Sequence, residues 1–133
     1  MQLVYKIKGA ENIALVTDSM RAAGMPDGKS ILGSIEEWQE VLIEDGVAKL
    51  PDRSAFAGSV ATADRLVRTA TKIAEIPLCD AVRMVSATPA GIMDIQQHKG
   101  SLQKGKDADL ILFNENIDIK MTMVKGNIIY ENL

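Results

Sequence analysis

Asp18 is the residue of this chain whose type and position best suit acid or base chemistry. The short apolar run Ile13–Val16, β-branched at both ends, predicts a strand buried on both faces, and Thr17, Asp18 and Ser19 follow it directly. Folds of the α/β type hold their chemistry at the carboxyl ends of such strands, because the strand is rigid and the next loop admits substrate. Asp18 is therefore a candidate acid or base; the alternative is that it only caps a turn.

The other groups that could react or bind a metal are scarce. The chain contains one His, His98, and one Cys, Cys79. Structural zinc sites take four His or Cys ligands and catalytic ones usually three, so these two residues cannot form such a site by themselves. Nothing basic and fixed adjoins Cys79 in sequence to activate its thiol, and we interpret Cys79 and Met84 as packing residues.

Two stretches have features of anion-binding sites. Gly58–Ser59 precedes the clearest amphipathic helix, with Ser59 as its predicted N-cap, and the N–H groups at such a helix end form a plausible but unspecific anion site. Gly100–Lys106 fits most of a phosphate-loop pattern. Asp107, however, stands where that pattern requires Ser or Thr, and a strand follows in place of a helix. We interpret the second stretch as a turn.

The first half of the chain must position Asp18, and its pattern changes from helix to strand to hairpin. Leu3–Lys8 has helical spacing and predicts a helix before the Ile13–Val16 strand. Met25–Leu32 is rich in turn residues and predicts either a lid over a site or a plain connector. Alternation from Trp38 to Leu50, interrupted by Asp45–Gly46, predicts a hairpin.

The second half is predicted to be helical and then antiparallel. After the helix that Ser59 would cap, a second one is predicted over about residues 78–87, and Pro89–Met93 reads as a short third helix with Pro in its first turn. Leu110–Phe113 predicts a strand, and an alternating pair of strands joined by a turn at Gly126–Asn127 follows it. The fold class predicted is therefore α/β with an antiparallel end.

Composition limits the classes of function. At 133 residues the chain is long enough for one domain with a real core. A net charge of −3 with scattered Lys and Arg offers no basic stripe, so no nucleic-acid partner is expected. The lone Cys and the lack of a signal peptide or a long apolar run favour the cytoplasm and no membrane partner.

Several motifs in this order resemble the N-acetylglucosamine-6-phosphate deacetylases. The segments that carry the resemblance are Val16–Met20, Ala22–Gly24, Asp27–Gly28, Leu32–Gly33, Asp45–Ala48, Phe56–Ser59, Ala81–Met84 and Pro89–Ala90. The later Gly100–Leu102 and Gly105–Leu110 are similar to the closing signature of the wider amidohydrolase superfamily. The resemblance spans essentially this whole chain, but only about the last third of such an enzyme.

The resemblance implies a fold and a division of the chain. The implied fold is the carboxy-terminal part of a metal-dependent hydrolase that has a (β/α)8 barrel and an adjoining β-sandwich. Residues 1–99 would hold the last barrel strand, Ile13 to Asp18, with a hairpin excursion and helices, and residues 100–133 would be sandwich strands. Since a cut barrel leaves that strand with an unpaired edge, we expect dimer contacts or the chain's own hairpins to pair with it.

The resemblance also implies site residues. Asp18 would be the catalytic acid and base, and Phe56, Ala57 and Gly58 would contact an amino-sugar phosphate, although Leu is usual in the family at the position of Phe56. The implied divalent metal, zinc or iron, has its family ligands upstream of anything present here. We therefore expect no metal ligand and no activity from these 133 residues alone, and a homodimer as the assembly.

Two other functions fit some of the same residues. A different amidohydrolase, such as a dihydroorotase or a deaminase, shares the closing signature but not the segments around Met20–Gly24 and Ala57–Ser59. A non-catalytic module that binds a sugar phosphate or assists assembly could be made of the same elements.

Overall fold

The chain runs from a short helix to three antiparallel strands, three helices and three more antiparallel strands. The computed structural model describes all residues, 1–133. By contacts the chain forms two compact units: unit 1, Met1–Leu15 with Asp64–Leu133, and unit 2, Val16–Ala63. The elements in chain order are α1 (Gln2–Lys8), a 3-10 turn (Ala10–Asn12), β1 (Gly28–Gly33), β2 (Trp38–Glu44), β3 (Val47–Lys49), α2 (Ala63–Lys72), α3 (Leu78–Val85), α4 (Ala87–Ile92), β4 (Leu110–Phe113), β5 (Ile119–Val124) and β6 (Asn127–Glu131). The predicted boundary between residues 99 and 100 stays a prediction.

Unit 2 is built on the antiparallel sheet β1-β2-β3. The predicted hairpin is confirmed: Asp45 and Gly46 have φ of 55° and 71°, as a two-residue turn with positive φ at both positions requires. Alternation along β2 buries Val41 and Ile43, which pack with Ala48 in the core of the unit.

The prediction of a loop over Met25–Leu32 is wrong for most of its length. Residues from Gly28 onward form β1, which pairs with β2 so that Ile31 lies opposite Glu40. A stretch rich in Gly and polar residues has weak strand propensity of its own, and pairing to a neighbouring strand supplies the stabilisation that the local sequence lacks. The stretch is therefore neither a lid nor a simple connector.

Unit 1 has its core between helices α2 and α3, the 3-10 turn and the loops that carry Ile76 and Ile117. The buried residues that form it are Ala10, Val67, Ala70, Ile76, Ala81, Met84 and Ile117. Met84 is fully buried, which confirms its predicted packing role, whereas Cys79 is exposed and the same prediction for it is wrong. Cys79 lies in the first turn of α3, two residues before the buried Ala81 and on another face of the helix.

Two predicted helix boundaries are corrected. α2 begins at Ala63, so Ser59 is not its N-cap. The helix predicted over residues 78–87 ends at Val85, because Ser86 has φ −132° and ψ −78° and its hydroxyl donates to the Val82 carbonyl at 2.6 Å. α4 then starts at Ala87 and carries Pro89 in its first turn, as predicted.

Ile13–Val16, predicted as a buried strand, forms no strand in this chain. Leu15 donates its N–H to the Met84 carbonyl at 2.9 Å, and Val16 is 72% exposed. Both sheets are made entirely of other residues, so the segment pairs with neither hairpin. An apolar run of this kind becomes a strand only where another strand offers it hydrogen-bond partners, and none is adjacent here.

The sheet of unit 1 has the order β4-β5-β6 and is antiparallel, as predicted. Its second hairpin turns at Lys125 and Gly126, with φ of 49° and 81°, one residue earlier than predicted. All residues of β6 are exposed, and α1 buries none of its side chains. No helix of the chain combines the length and the apolar character that a bilayer span requires.

Charged residues on either side of the predicted turn, Gly100–Lys106, hold its two ends together. The Lys99 ammonium donates to Asp109 and lies 2.7 Å from Asp107, while the Lys125 N–H donates to Asp109 at 2.7 Å. These hydrogen bonds raise the pKa of Lys99 and lower the pKa of both carboxyl groups below their ordinary 3.8. The cluster therefore stabilises unit 1 only while all three groups are charged.

We expect Lys99→Met to reduce the stability of unit 1 at neutral pH and to flatten its acid dependence. Because the pKa values of Asp107 and Asp109 are lowered on folding, their stabilisation is present above pH 3.8 and is lost as pH falls through the folded values. The pKa of Lys99 is raised on folding. The stabilisation from Lys99 is therefore present below pH 10.5 and is lost as the pH rises through the pKa of Lys99 in the folded state. Thermal unfolding midpoints measured against pH test this expectation.

The matched control is Lys104→Met, since Lys104 is exposed and belongs to the same turn. Lys104→Met should follow the wild-type curve at every pH. If the unfolding midpoint of Lys99→Met fell as steeply with decreasing pH as that of the wild type, the cluster would not stabilise the fold.

Candidate active site

Asp18 lies at an open cavity of about 580 Å³ within unit 2. Its backbone is left-handed, with φ 48°, a conformation that Asp tolerates better than most residues. Its carboxylate is exposed and makes no hydrogen bond or ion pair within the chain. The alternative that Asp18 caps a turn therefore lacks the bond it requires, and the carboxylate is open to a bound molecule.

The cavity contains the four site residues that the resemblance implies, Asp18, Phe56, Ala57 and Gly58. It is lined by Asp18, Ser19, Met20, Leu32, Gln39, Leu50, Phe56, Ala57 and Gly58. The Asp18 segment and the Phe56–Gly58 loop are far apart in sequence, and folding brings them to one cavity. Leu32, Gln39 and Leu50 were not predicted, because no sequence signal shows which residues in and beside the β1-β2-β3 sheet border a cavity.

The Phe56–Gly58 loop is held by backbone hydrogen bonds beside β3. The Ala57 N–H donates to the Ala48 carbonyl at 2.8 Å, and the Leu50 N–H donates to the Ala55 carbonyl at 2.9 Å. These bonds make Phe56 the antiparallel partner of Lys49. Ala57 is buried while Phe56 is 78% exposed, so a fixed backbone displays the aromatic ring at the cavity.

Gly58 occupies a conformation that other residues rarely adopt. Its φ is 131°, and a Cβ built there would lie 3.6 Å from the Met20 Sδ, which is an ordinary contact. The requirement for glycine therefore comes from the backbone and not from lack of space.

The predicted anion site at Gly58–Ser59 loses its structural basis. That prediction needed a helix to begin at Ser59, but α2 begins at Ala63. Ser59 uses its carbonyl to accept the Met20 N–H at 2.8 Å and its hydroxyl to accept the Ala61 N–H at 3.1 Å. The stretch thus connects two segments of unit 2.

The residues around Asp18 do not form a metal site by themselves. Nowhere in the chain do three His, Cys, Asp or Glu side chains come together in a way that could hold a metal ion. The other polar side chains of the cavity belong to Ser19 and Gln39, which are weak ligands for zinc or iron beside a single carboxylate. We therefore assign no step of a reaction to a metal held by these residues.

The amidohydrolase family matches residues 8–129 of the chain, which is nearly its whole length. The chain belongs to the amidohydrolase family. Enzymes of this family generally use a divalent metal.

Individual relatives confirm the resemblance seen in the motifs. The N-acetylglucosamine-6-phosphate deacetylase of Lysinibacillus sphaericus is 36% identical over 128 residues, 96% of this chain and 32% of that protein. An N-acetylgalactosamine-6-phosphate deacetylase of Escherichia coli O157:H7 is 30% identical over 118 residues, 89% of this chain and 30% of that protein. The chain thus spans about a third of the length of these relatives.

The fold is also similar to that of a solved relative. The crystal structure of the N-acetylglucosamine-6-phosphate deacetylase of Thermotoga maritima superposes with a TM-score of 0.84 at 31% identity. The superposition covers 98% of this chain and 34% of that chain. The chain has the mixed α/β structure of the corresponding third of such an enzyme.

We expect Gly58→Ala to destabilise unit 2 by about 1–3 kcal/mol, because alanine is strained at this positive φ. Urea unfolding of the variant gives the free energy. Gly91→Ala is the control: Gly91 lies in α4 without a positive φ and with no atom near its added Cβ, so this change should be neutral or slightly stabilising. Equal stability of Gly58→Ala and the wild type would contradict the left-handed assignment.

Proposed function

We propose that this chain is part of an enzyme that hydrolyses the acetamide of N-acetylglucosamine 6-phosphate, giving glucosamine 6-phosphate and acetate. The observation that carries the proposal is that an unpaired carboxylate, Asp18, shares one cavity with the Phe56–Gly58 loop. The activity of relatives about three times as long supports the choice of substrate.

Asp18 acts as the general base and then as the general acid. Its carboxylate takes a proton from the attacking water as the water oxygen bonds to the acetamide carbonyl carbon. The protonated Asp18 then delivers that proton to the amine nitrogen as the carbon–nitrogen bond breaks. Because Asp18 is exposed and has no partner in the chain, its carboxylate is free to approach both reacting groups.

The Phe56–Gly58 loop binds the sugar. The exposed Phe56 ring offers a flat apolar surface to the C–H face of a hexosamine, and the backbone of Ala57 and Gly58 lies beside it. Since the loop is held to β3 by backbone hydrogen bonds, the ring needs little reordering on binding.

The remaining features of the intact enzyme are proposed from the resemblance. They are a (β/α)8 barrel with an adjoining β-sandwich, a zinc or iron ion, a homodimer and a cytoplasmic location. The metal would need ligands that residues 1–133 do not bring together. We therefore propose that residues 1–133 on their own have no deacetylase activity.

We expect Asp18→Asn to lower kcat for acetate release about 10²–10⁴-fold with a KM within about threefold of wild type, because the amide cannot accept the proton. The assay uses the full-length gene product with N-acetylglucosamine 6-phosphate. Asp27→Asn is the control, since Asp27 is an exposed acid of unit 2 outside the cavity. Full activity of Asp18→Asn would remove Asp18 from the mechanism.

A panel of substrates tests the reaction itself. It contains N-acetylglucosamine 6-phosphate, N-acetylgalactosamine 6-phosphate and dihydroorotate. The second compound is included because the Escherichia coli relative is an N-acetylgalactosamine-6-phosphate deacetylase. Hydrolysis of dihydroorotate alone would show a different amidohydrolase. Binding of glucosamine 6-phosphate without turnover of any substrate would indicate a binding module.

We expect Phe56→Ala to raise the KM for the preferred amino-sugar phosphate about tenfold, because the apolar face of the sugar loses its contact. Phe56→Leu, which restores the residue usual in the family, should retain most of the affinity. Trp38→Leu is the matched control, since Trp38 is an exposed aromatic residue of unit 2 that does not line the cavity. A KM unchanged in Phe56→Ala would exclude stacking on this ring.

A further inference from the structure

We propose that Ser19 and Ser59 are positioning residues that hold Asp18 at a set distance from the sugar-binding loop. Neither residue has a role in the function proposed above, and the inference rests on that function. The feature that carries it is a group of hydrogen bonds joining the segment after Asp18 to the segment after Gly58. We call this group the serine clasp; it consists of Ser19, Met20, Ser59 and Ala61.

The serine clasp contains three hydrogen bonds: two join the segments, and the third, between Ser59 and Ala61, lies within the second segment. The Ser19 hydroxyl donates to the Ala61 carbonyl, and the Ser59 hydroxyl accepts the Ala61 N–H at 3.1 Å. The Met20 N–H donates to the Ser59 carbonyl at 2.8 Å, which makes Ser19 and Ser59 parallel partners. Ala61 thus bonds to both serines, through its carbonyl on one side and its N–H on the other.

Asp18 depends on the serine clasp because little else holds it. Its side chain is exposed and has no partner in the chain, and its left-handed backbone is a conformation that relaxes readily unless its neighbours hold it. Further along, Ala22 is buried in the core of unit 2 and the Arg21 guanidinium donates to the Gly33 carbonyl at 2.8 Å. The clasp is the constraint adjacent to Asp18.

The other end of the serine clasp controls the sugar-binding loop. Ser59 follows Gly58 directly, and Ala57 on the other side is tied to Ala48 by a backbone hydrogen bond of 2.8 Å. Gly58 therefore lies between two hydrogen-bonded residues, Ala57 and Ser59. These bonds fix the backbone of the loop that would bind the sugar. A single group of bonds sets the separation of the acid and the sugar.

Ser19 lines the cavity, but its hydroxyl proton is engaged. It donates to the Ala61 carbonyl, so it is not available to a substrate oxygen while the clasp is closed. The geometry therefore places Ser19 behind Asp18 as a support, and Ser59 does not line the cavity at all.

The experiment compares kcat and KM for Ser19→Ala, Ser19→Thr, Ser59→Ala and the double variant in the full-length gene product. Because the clasp aligns Asp18 with bound substrate, Ser19→Ala should lower kcat about tenfold and leave KM within about twofold. Ser19→Thr, which keeps the hydroxyl, should recover most of the loss. Ser59→Ala removes only the hydroxyl bond to the Ala61 N–H and keeps the Met20 bond to the Ser59 carbonyl, so it should lower kcat less than Ser19→Ala does. The loss in the double variant should fall short of the product of the two single losses, because both hydroxyls bond to Ala61.

Ser54→Ala is the matched control. Ser54 belongs to unit 2, has an exposed hydroxyl that donates to Asp52 at 2.7 Å, and lies outside the cavity. It should behave as wild type. Amide hydrogen exchange adds a readout that needs no activity. The Met20 amide should exchange about tenfold faster in Ser19→Ala than in the wild type, and at the wild-type rate in Ser54→Ala.

The outcomes separate the two proposals. If the wild-type protein hydrolyses an amino-sugar phosphate and Ser19→Ala has the same kcat, the positioning role is overturned and the proposed function stands. A variant that only unfolds at lower temperature, with kcat unchanged for its folded fraction, also overturns it. A wild-type protein inactive on every amino-sugar phosphate overturns the proposed function and the inference with it.

Discussion

The hydrogen bond from the Met20 N–H to the Ser59 carbonyl joins the two segments that form the cavity, and the geometry of the candidate active site depends on it. The segment that carries Asp18 belongs to neither sheet, so its backbone polar groups must find partners elsewhere. The Met20 N–H finds a partner in the Ser59 carbonyl, and the Ser19 hydroxyl adds a side-chain hydrogen bond to the Ala61 carbonyl. The acid is therefore held by its neighbours in sequence and not by contacts of its own carboxylate.

The β1-β2-β3 sheet provides the rigid part of the same site. Val41 and Ile43 anchor β2 in the core, the Asp45–Gly46 turn sets the register of β3, and β3 in turn holds the backbone on either side of Phe56. The first step is side-chain packing, and the later steps use main-chain hydrogen bonds. The aromatic ring is consequently displayed at 78% exposure on a backbone that cannot easily move.

Membership of the amidohydrolase family and the likeness to deacetylases of amino-sugar phosphates agree with this arrangement. The match covers about a third of the relatives' length, and this third contains a carboxylate without a metal site beside it. The division of labour within such an enzyme then has a physical basis. We propose that proton transfer and one side of the sugar site belong to these residues, and we assign metal ligation to none of them.

The sequence alone determined the features that arise from neighbouring residues: the Asp45–Gly46 hairpin, the buried face of β2, the antiparallel end and the resemblance that singled out Asp18 and Phe56–Gly58. Only the tertiary structure decided that Ile13–Val16 is not a strand, that Gly28–Gly33 is one, and that Ser59 bonds to Met20 in place of starting a helix. The physical reason is that local preference is weak. At these segments a backbone group takes the partner that the folded chain brings within reach, as Leu15 takes Met84 and Met20 takes Ser59, and such partners are distant in sequence.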